Sequence, residues 1–319
     1  MNVCRICQNT SGNTNYVVRE MMLGTKEEFD YFKCARCGCL QINNIPTDIA
    51  RHYPDTYYSL QPQENKKTSF LKKFFKKQRL KYCLGEKSVT NKIIAKIYKP
   101  PPYLKWFEGL NLKINSKILD VGCGSGDLLL GMNKEGFTNL SGVDPFITND
   151  IRHKNNITIH KGDVSDLHSQ FDCIMMHHSF EHAEDPLLLL AKVKEALTDK
   201  GCILIRIPLC DSYAWRTYRE HWVQLDAPRH FFLHTKKSMS VLADTAGLRI
   251  TNIVYDSNEF QFLGSEQYKQ DIPLNAGHSF TNSPEKNIFT KEEVKQYRKL
   301  AAKLNGEQDG DQACFYLRK

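Results

Sequence analysis

Three glycines at alternate positions, Gly122, Gly124 and Gly126, stand two residues after a carboxylate, Asp120. A second carboxylate, Asp144, follows in a Gly-Val-Asp-Pro run that ends at Pro145. Glycines in such a turn let the backbone close tightly on a ligand. An acid about 20 positions further on, at the end of the next strand, takes ribose hydroxyls. The spacing is G-x-G-x-G, whereas a dinucleotide pyrophosphate asks for G-x-G-x-x-G, and Asp127 stands where that last glycine would fall. Asp120 would repel a pyrophosphate and suits a cationic ligand. A second group joins His177, His178, Glu181 and His182 to a later run holding Trp222, Asp226, Arg229 and His230. Imidazole is the side chain whose ordinary pKa suits base work near neutrality. Arg229 suits an anionic substrate group such as the phosphates of a nucleotide-sugar, and Trp215, Tyr218 and Trp222 offer faces for stacking or for the core. A third group is Cys4, Cys7, Cys34 and Cys37, two C-x-x-C pairs separated by 26 residues. Four thiolates so paired place themselves tetrahedrally around Zn²⁺, although the interval exceeds the usual ~15–20 residues of compact ribbons. Cys39 lies off that register and is read as packing.

Elements that would position these groups are legible in the apolar pattern. Residues 16–19 and 30–33 read as a hairpin between the cysteine pairs. Ile118, Leu119 and Val121 form a short apolar run of the kind found in buried parallel strands, and Leu128 to Leu130 open a helix after it. Residues 140–143, 157–159, 171–176, 202–208 and 248–255 read as further strands, with a last antiparallel strand at 311–317. Pro186 opens a helix through Leu197, since proline fits a first turn. A helix over 235–246 ends at Gly247, and another runs from Lys291 to Leu304. Residues 264–289 lack apolar periodicity and read as a surface loop or lid.

The strand–glycine–helix run with its spaced acid resembles motif I of class I S-adenosylmethionine-dependent methyltransferases. That cofactor carries a sulfonium and an ammonium and no phosphate, which agrees with Asp120. The resemblance implies an α/β fold, a Rossmann-like sheet with helices on both faces. It implies cofactor contacts at Asp120, Gly122, Gly124, Gly126, Asp144, Pro145, Asp163, Val164, His178 and Ser179, with Asp163 accepting from the adenine amino group. Residues 181–186 look like a stretch common in members that modify small molecules, and 222–230 resembles a "W-x-x-x-D-x-P-x-H" stretch of polysaccharide-linked members. On that likeness His182 or His230 is the base, His178 and Glu181 lie beside it, and Trp222, Asp226 and Arg229 contact substrate. Cys4, Cys7, Cys34 and Cys37 would form a structural zinc ribbon. Residues 41–46, Tyr53, Pro54 and 57–59 are similar to the heads of methyltransferases from bacterial surface-polysaccharide and sugar pathways.

The expected division is a head at 1–60, a basic connector at 61–102 and a methyltransferase domain at 103–319. Residues 66–99 hold twelve Lys or Arg against one acid, Glu86, so this stretch alone exceeds the whole chain's net charge of +8. Within it, residues 70–80 read as a basic amphipathic helix. It is a connector, a helix lying on anionic lipid, or a contact for nucleic acid phosphates; a peripheral membrane contact is assigned to residues 66–81. Pro100, Pro101 and Pro102 form a stiff break. No apolar run approaches the ~20 residues of a membrane span, and eleven scattered cysteines argue for reduced thiols. The expectation is therefore cytoplasmic, with the inner membrane face as the alternative address. The expected activity is methyl transfer to a sugar or other small metabolite, a nucleotide-sugar or lipid-linked sugar included, with O-methylation favoured. An RNA methyltransferase and a non-enzymatic nucleoside-binding protein are the alternatives.

Overall fold

The structure is a computed structural model that describes residues 2–54, 69–153, 155, 157–282 and 288–319. Residues 57–59, Lys66, Lys67 and residues 283–287 of the expected lid lie outside them. The strands are β1 (Thr14–Arg19), β2 (Glu28–Lys33), β3 (Leu40–Ile42), β4 (Ile118–Val121), β5 (Leu140–Asp144), β6 (Ile151–Arg152), β7 (Thr158–Lys161), β8 (Phe171–His177), β9 (Leu197–Pro208), β10 (Phe232–Leu233), β11 (Arg249–Tyr255) and β12 (Gln312–Arg318). The helices are α1 (Phe70–Cys83), α2 (Val89–Ile97), α3 (Asp127–Glu135), α4 (Pro186–Glu195), α5 (Tyr213–Tyr218), α6 (Lys236–Thr245), α7 (Phe260–Lys269) and α8 (Lys291–Gly306). They group into two compact units. One comprises Met1–Pro54, Phe180–Leu190 and Arg206–Phe315; the other comprises Asp55–Ser179, Ala191–Ile205 and Tyr316–Lys319. The larger sheet has the order β11-β12-β9-β8-β4-β5-β7-β6, and the smaller has β1-β2-β3-β10.

In the second unit β4 pairs in parallel with β5 on one side and β8 on the other, and β5 pairs in parallel with β7. The chain thus steps outward from β4 through β5 to β7 and returns beside β4 at β8. This reversal of strand order is where open α/β sheets bind their ligands, at the strands' carboxyl ends. Ile118, Leu119 and Asp120 are all buried, as a strand covered on both faces requires. The core around them joins Ile118, Leu129, Met132, Phe137, Ile159 and Met175 with Leu80 of α1. Helix α3 ends on Glu135, a buried carboxylate at a helix C-terminus, where its charge opposes the helix dipole. Arg79 and Lys76 of α1 both bond to it, so the ion pairs dock α1 on α3. The expected basic helix is therefore present, capped by Ser69. A second helix, α2, was not foreseen. It begins at Ser88, whose Oγ accepts from Asn91 N at 3.1 Å.

In the first unit the expected hairpin forms, with Tyr16 opposite Tyr31 in an antiparallel ladder. Strand β3 continues it, and β10 closes its edge through Phe232 and Leu233. The head thus groups with residues 206–315 in one compact unit. The expected lid is corrected. Residues up to Lys269 belong to helix α7, and Leu263, Gly264, Ser265, Gln267 and Tyr268 are buried in it. The periodicity was hidden because Gly264, Ser265 and Gln267 occupy interior positions that a pattern search expects to be apolar. Strand β9 likewise begins earlier than read, at Leu197. Among the described residues no helix is long and apolar enough to cross a membrane.

Candidate functional site

The glycine turn sits between β4 and α3 and carries positive φ at Gly122 (73°), Gly124 (54°) and Gly126 (86°). A side chain at Gly122 is excluded twice, by that φ and by Ser179, whose Cβ would lie 2.4 Å from the new Cβ. Ser179 also donates its hydroxyl to Val121 O at 2.6 Å, so it braces the turn from the end of β8. Asp144 closes the turn from the other side. Its Oδ2 accepts from Gly124 N at 2.7 Å and its Oδ1 from Phe146 N at 2.8 Å. Asp120 is buried, and its Oδ1 has no hydrogen-bond partner among the described residues. Burial, and then the neighbouring charge of Asp144, push its carboxyl up to about 8. A buried acid short of partners, next to a second acid and a glycine-rich turn, fits a ligand that brings positive charge and hydroxyl donors. Asp163 caps the turn Val164–Asp166 and binds Ser165 and Lys192 through Oδ1. Val164 is buried and Pro145 exposed. His178 holds a φ of 49°, and His177 packs on Trp106 with ring centroids 4.3 Å apart.

In the first unit Glu181, His182 and His230 bring one ligating atom each within 4.8 Å of the others. His182 Nδ1 lies 2.7 Å from Arg229 O, and His230 Nδ1 lies 2.7 Å from Gln224 O. A carbonyl only accepts, so both rings donate from Nδ1 and turn Nε2 away from that bond. His230 Nε2 is 3.8 Å from Glu181 Oε1 and from Asp226 Oδ2. Burial first, and then His182, push His230 down to about 4, which keeps it neutral at ordinary pH. Tyr53 Oη lies 3.1 Å from His182 Nδ1; its place beside a histidine had no signal beyond its type.

The three expected substrate contacts, Trp222, Asp226 and Arg229, all have partners within the protein. Arg229 is completely buried and gives its guanidinium to Asp226 (2.6 and 3.0 Å) and Glu20 (2.8 Å). Its charge is already matched by two protein carboxylates, so it has none to offer a phosphate. Asp226 is the other half of that pair, and although burial alone would raise it, Arg229 takes its carboxyl down to about 2. Trp222 is fully buried, donates its indole N–H to Asp311 at 3.0 Å and meets Trp215 edge-on; it is a core residue. Glu20 escaped the sequence reading, because a lone acid in a hairpin carries no pattern. It is fully buried and also accepts from the N–H groups of Leu23, Gly24 and Thr25.

The four expected cysteines converge. Cys4 and Cys37 sulfurs lie 3.6 Å apart, as do those of Cys7 and Cys34. Tetrahedral zinc with ~2.3 Å bonds sets sulfurs about 3.8 Å apart, so the group is fit to hold such an ion. Gln41 Nε2 points at Cys4 Sγ from 3.2 Å, the kind of outer contact that orients a ligand. Cys39 is buried 4.0 Å from His234 and stands outside the group.

A parallel-rich sheet with a glycine-rich turn at its switch point, flanked by two buried acids, puts the second unit in the class of open α/β sheets that take ligands there. Residues 77–253, more than half of the chain, match the model of the methyltransferase domain family. The chain belongs to that family. It is 42% identical over 41 residues to EEF1A lysine methyltransferase 2 of Danio rerio, covering 13% of this chain and 18% of that protein. It is 28% identical over 125 residues to the tRNA U34 carboxymethyltransferase of Alteromonas mediterranea, covering 34% and 36%. The match thus spans 18% of the first relative's length and 36% of the second's. Among solved structures it resembles a SAM-dependent methyltransferase from Archaeoglobus fulgidus at 18% identity, covering 70% of this chain and 92% of that one, with a TM-score of 0.40. The cyclopropane synthase MmaA2 from Mycobacterium tuberculosis is similar at 15% identity, covering 76% and 83%, with a TM-score of 0.42.

Three outcomes are expected. Elemental analysis finds one zinc per chain, and Cys34→Ser lowers it to below about 0.1 because the closed four-thiolate set is broken. Arg229→Met costs about 3–5 kcal/mol in urea unfolding, since it strands Glu20 and Asp226 without their cation. The third concerns pH. His230 and His234 are both buried and pushed down to about 4, burial being the leading cause. The folded state holds them neutral, whereas the unfolded chain takes up protons near 6.5. Stability is therefore complete above pH 6.5 and falls as pH drops toward 4, by up to about 1.4 kcal/mol per pH unit for each ring. Urea titrations at pH 7 and pH 5 check this, and His234→Phe flattens the slope.

Proposed function

We propose that this methyltransferase methylates an oxygen of a sugar or another small metabolite, in the making of a cell-surface polysaccharide, and that a nucleotide-sugar or lipid-linked sugar is the acceptor. The observation that carries the acceptor chemistry is the pair of imidazoles of His182 and His230, each anchored through Nδ1 to a backbone carbonyl, beside the buried Glu181. A hydroxyl must lose its proton as it attacks, and a neutral imidazole takes that proton. Glu181 steadies the imidazolium that forms. We assign the base to His182 or His230. The pathway rests on the likeness of residues 222–230 and of the cysteine head to polysaccharide-linked methyltransferases.

S-adenosylmethionine supplies an electrophilic methyl group on a sulfonium. In this reading Asp144 accepts the ribose hydroxyls and Asp120 faces the cofactor's positive charge. The backbone from Gly122 to Gly126 lies against the nucleoside. Asp163 Oδ2 accepts from the adenine amino group beside Val164, while Pro145, His178 and Ser179 line the donor side. The chemistry asks the protein chiefly for alignment, because an in-line displacement is limited by proximity. The four-cysteine group holds zinc as a structural ion, since a closed thiolate set leaves no open position.

Calorimetric titration tests the cofactor. S-adenosylhomocysteine binds at micromolar concentration, NADH does not, and Asp144→Ala weakens the first by about 2–3 kcal/mol. Nucleotide-sugars and RNA are then offered as acceptors. His182→Ala or His230→Ala lowers kcat by about 10²–10⁴-fold with S-adenosylhomocysteine affinity unchanged. Full turnover by both variants would remove the base assignment. Methylation of RNA with a steep salt dependence would replace the sugar reading, which the tRNA-modifying relative keeps in view.

A further inference from the structure

Helices α1 and α2 form a hairpin in the second unit, and its exposed face is apolar where a solvated helix is polar. On α2, Val89, Ile93 and Ile97 are 76%, 54% and 68% exposed. They recur every four residues and so share one face. The opposite side, with Asn91, Ile94 and Ala95, is buried. On α1, Leu71 and Phe74 are also largely exposed. Phe74 meets Phe75 at 5.8 Å, and Phe75 stacks at 5.2 Å on Tyr98, the half-exposed residue that follows α2. The exposed side chains of the two helices thus adjoin. Lys72, Lys73 and Lys77 on α1 and Lys92 and Lys96 on α2 are exposed as well. The hairpin's one acid, Glu86, pairs with Lys81 at 3.0 Å.

We infer that this hairpin seats the protein on an anionic membrane surface. Branched aliphatic side chains four residues apart enter the boundary between headgroups and acyl chains, and flanking lysines meet lipid phosphates. Both parts are needed. A nucleic acid would use the lysines but has no place for Val89, Ile93 and Ile97. A second copy of the chain, packed isologously, would cover the aliphatics but set each lysine cluster against itself. At nine residues, α2 lies in the interface and does not cross it. The inference is independent of which acceptor is methylated.

The test is co-sedimentation of the full chain with vesicles of phosphatidylcholine alone and with about 30 mol% phosphatidylglycerol added. Partitioning is expected to be at least about tenfold stronger onto the anionic vesicles and to weaken as salt is raised. Ile93→Asn with Ile97→Asn should lower partitioning about tenfold. Lys92→Gln with Lys96→Gln should lower it on anionic vesicles alone. Both pairs are exposed and should keep the thermal midpoint and S-adenosylhomocysteine binding. If the asparagine pair unfolds, an environment-sensitive dye on Ile93→Cys replaces it, and a blue shift on adding anionic vesicles is expected. No preference for anionic vesicles, unchanged partitioning of the variants, or no dye shift would overturn the inference. So would a dimer in sedimentation velocity that the asparagine pair converts to monomer, or RNA binding that outcompetes the vesicles.

Discussion

Arg229 has no solvent, and its charge is carried by Asp226 and Glu20. The first unit is arranged around that fact. Burying a guanidinium is tolerable when bidentate geometry and further hydrogen bonds satisfy it. Here one partner is distant in the chain and one is local, Glu20 from just after β1 and Asp226 from three residues before Arg229. With Arg229 fixed, its carbonyl receives His182 Nδ1, and the next residue is His230, whose own carbonyl receives the hydroxyl of buried Tyr31. One ion triad therefore sets the tautomer and direction of one imidazole and the backbone of the other. The charge that looked suited to a substrate phosphate is spent inside the protein on shaping the basic site.

The second unit depends on a different constraint, the need for left-handed backbone at Gly122, Gly124 and Gly126 at the end of β4. Ser179 from β8 and Asp144 from β5 occupy the two flanks of that turn, so three parallel neighbours define it jointly. Asp120 is the cost of the arrangement. It is a carboxylate under the turn with its proton affinity raised by burial and by Asp144. Such a group is out of place in a resting core and well placed to face a cation. The same unit carries a surface with its own logic. The buried Arg79, Lys76 and Glu135 contacts hold α1 inward, while α1 and α2 turn aliphatics and lysines outward.

Much of this was legible in residue order because the signals were local. The glycine turn, both flanking acids and the cysteine pairs are short-range patterns with a physical need for each residue type, and the strands that bear them fell within a residue or two of their expected bounds. The histidine cluster was legible by type, but its convergence was not. The rest failed where the decisive contact was distant. Glu20 had no pattern, Arg229 and Trp222 looked like substrate ligands, and α7 hid its interior behind Gly264, Ser265 and Gln267. Strand β10 is two residues long, too short for any periodicity, yet it closes the sheet of the cysteine head.

By itself, then, the sequence determined the family-level chemistry. Alternate glycines, Asp120 and Asp144 specify a turn flanked by two buried acids, and four paired cysteines specify a convergent thiol group, because each depends on spacing along the backbone. Tertiary structure decided which charges remain for function. Whether an arginine meets a substrate or an internal carboxylate, and whether an aliphatic side chain fills a core or faces outward, depends on what the fold brings against it. Glu20 stands more than two hundred residues before Arg229, and no local rule reaches that far.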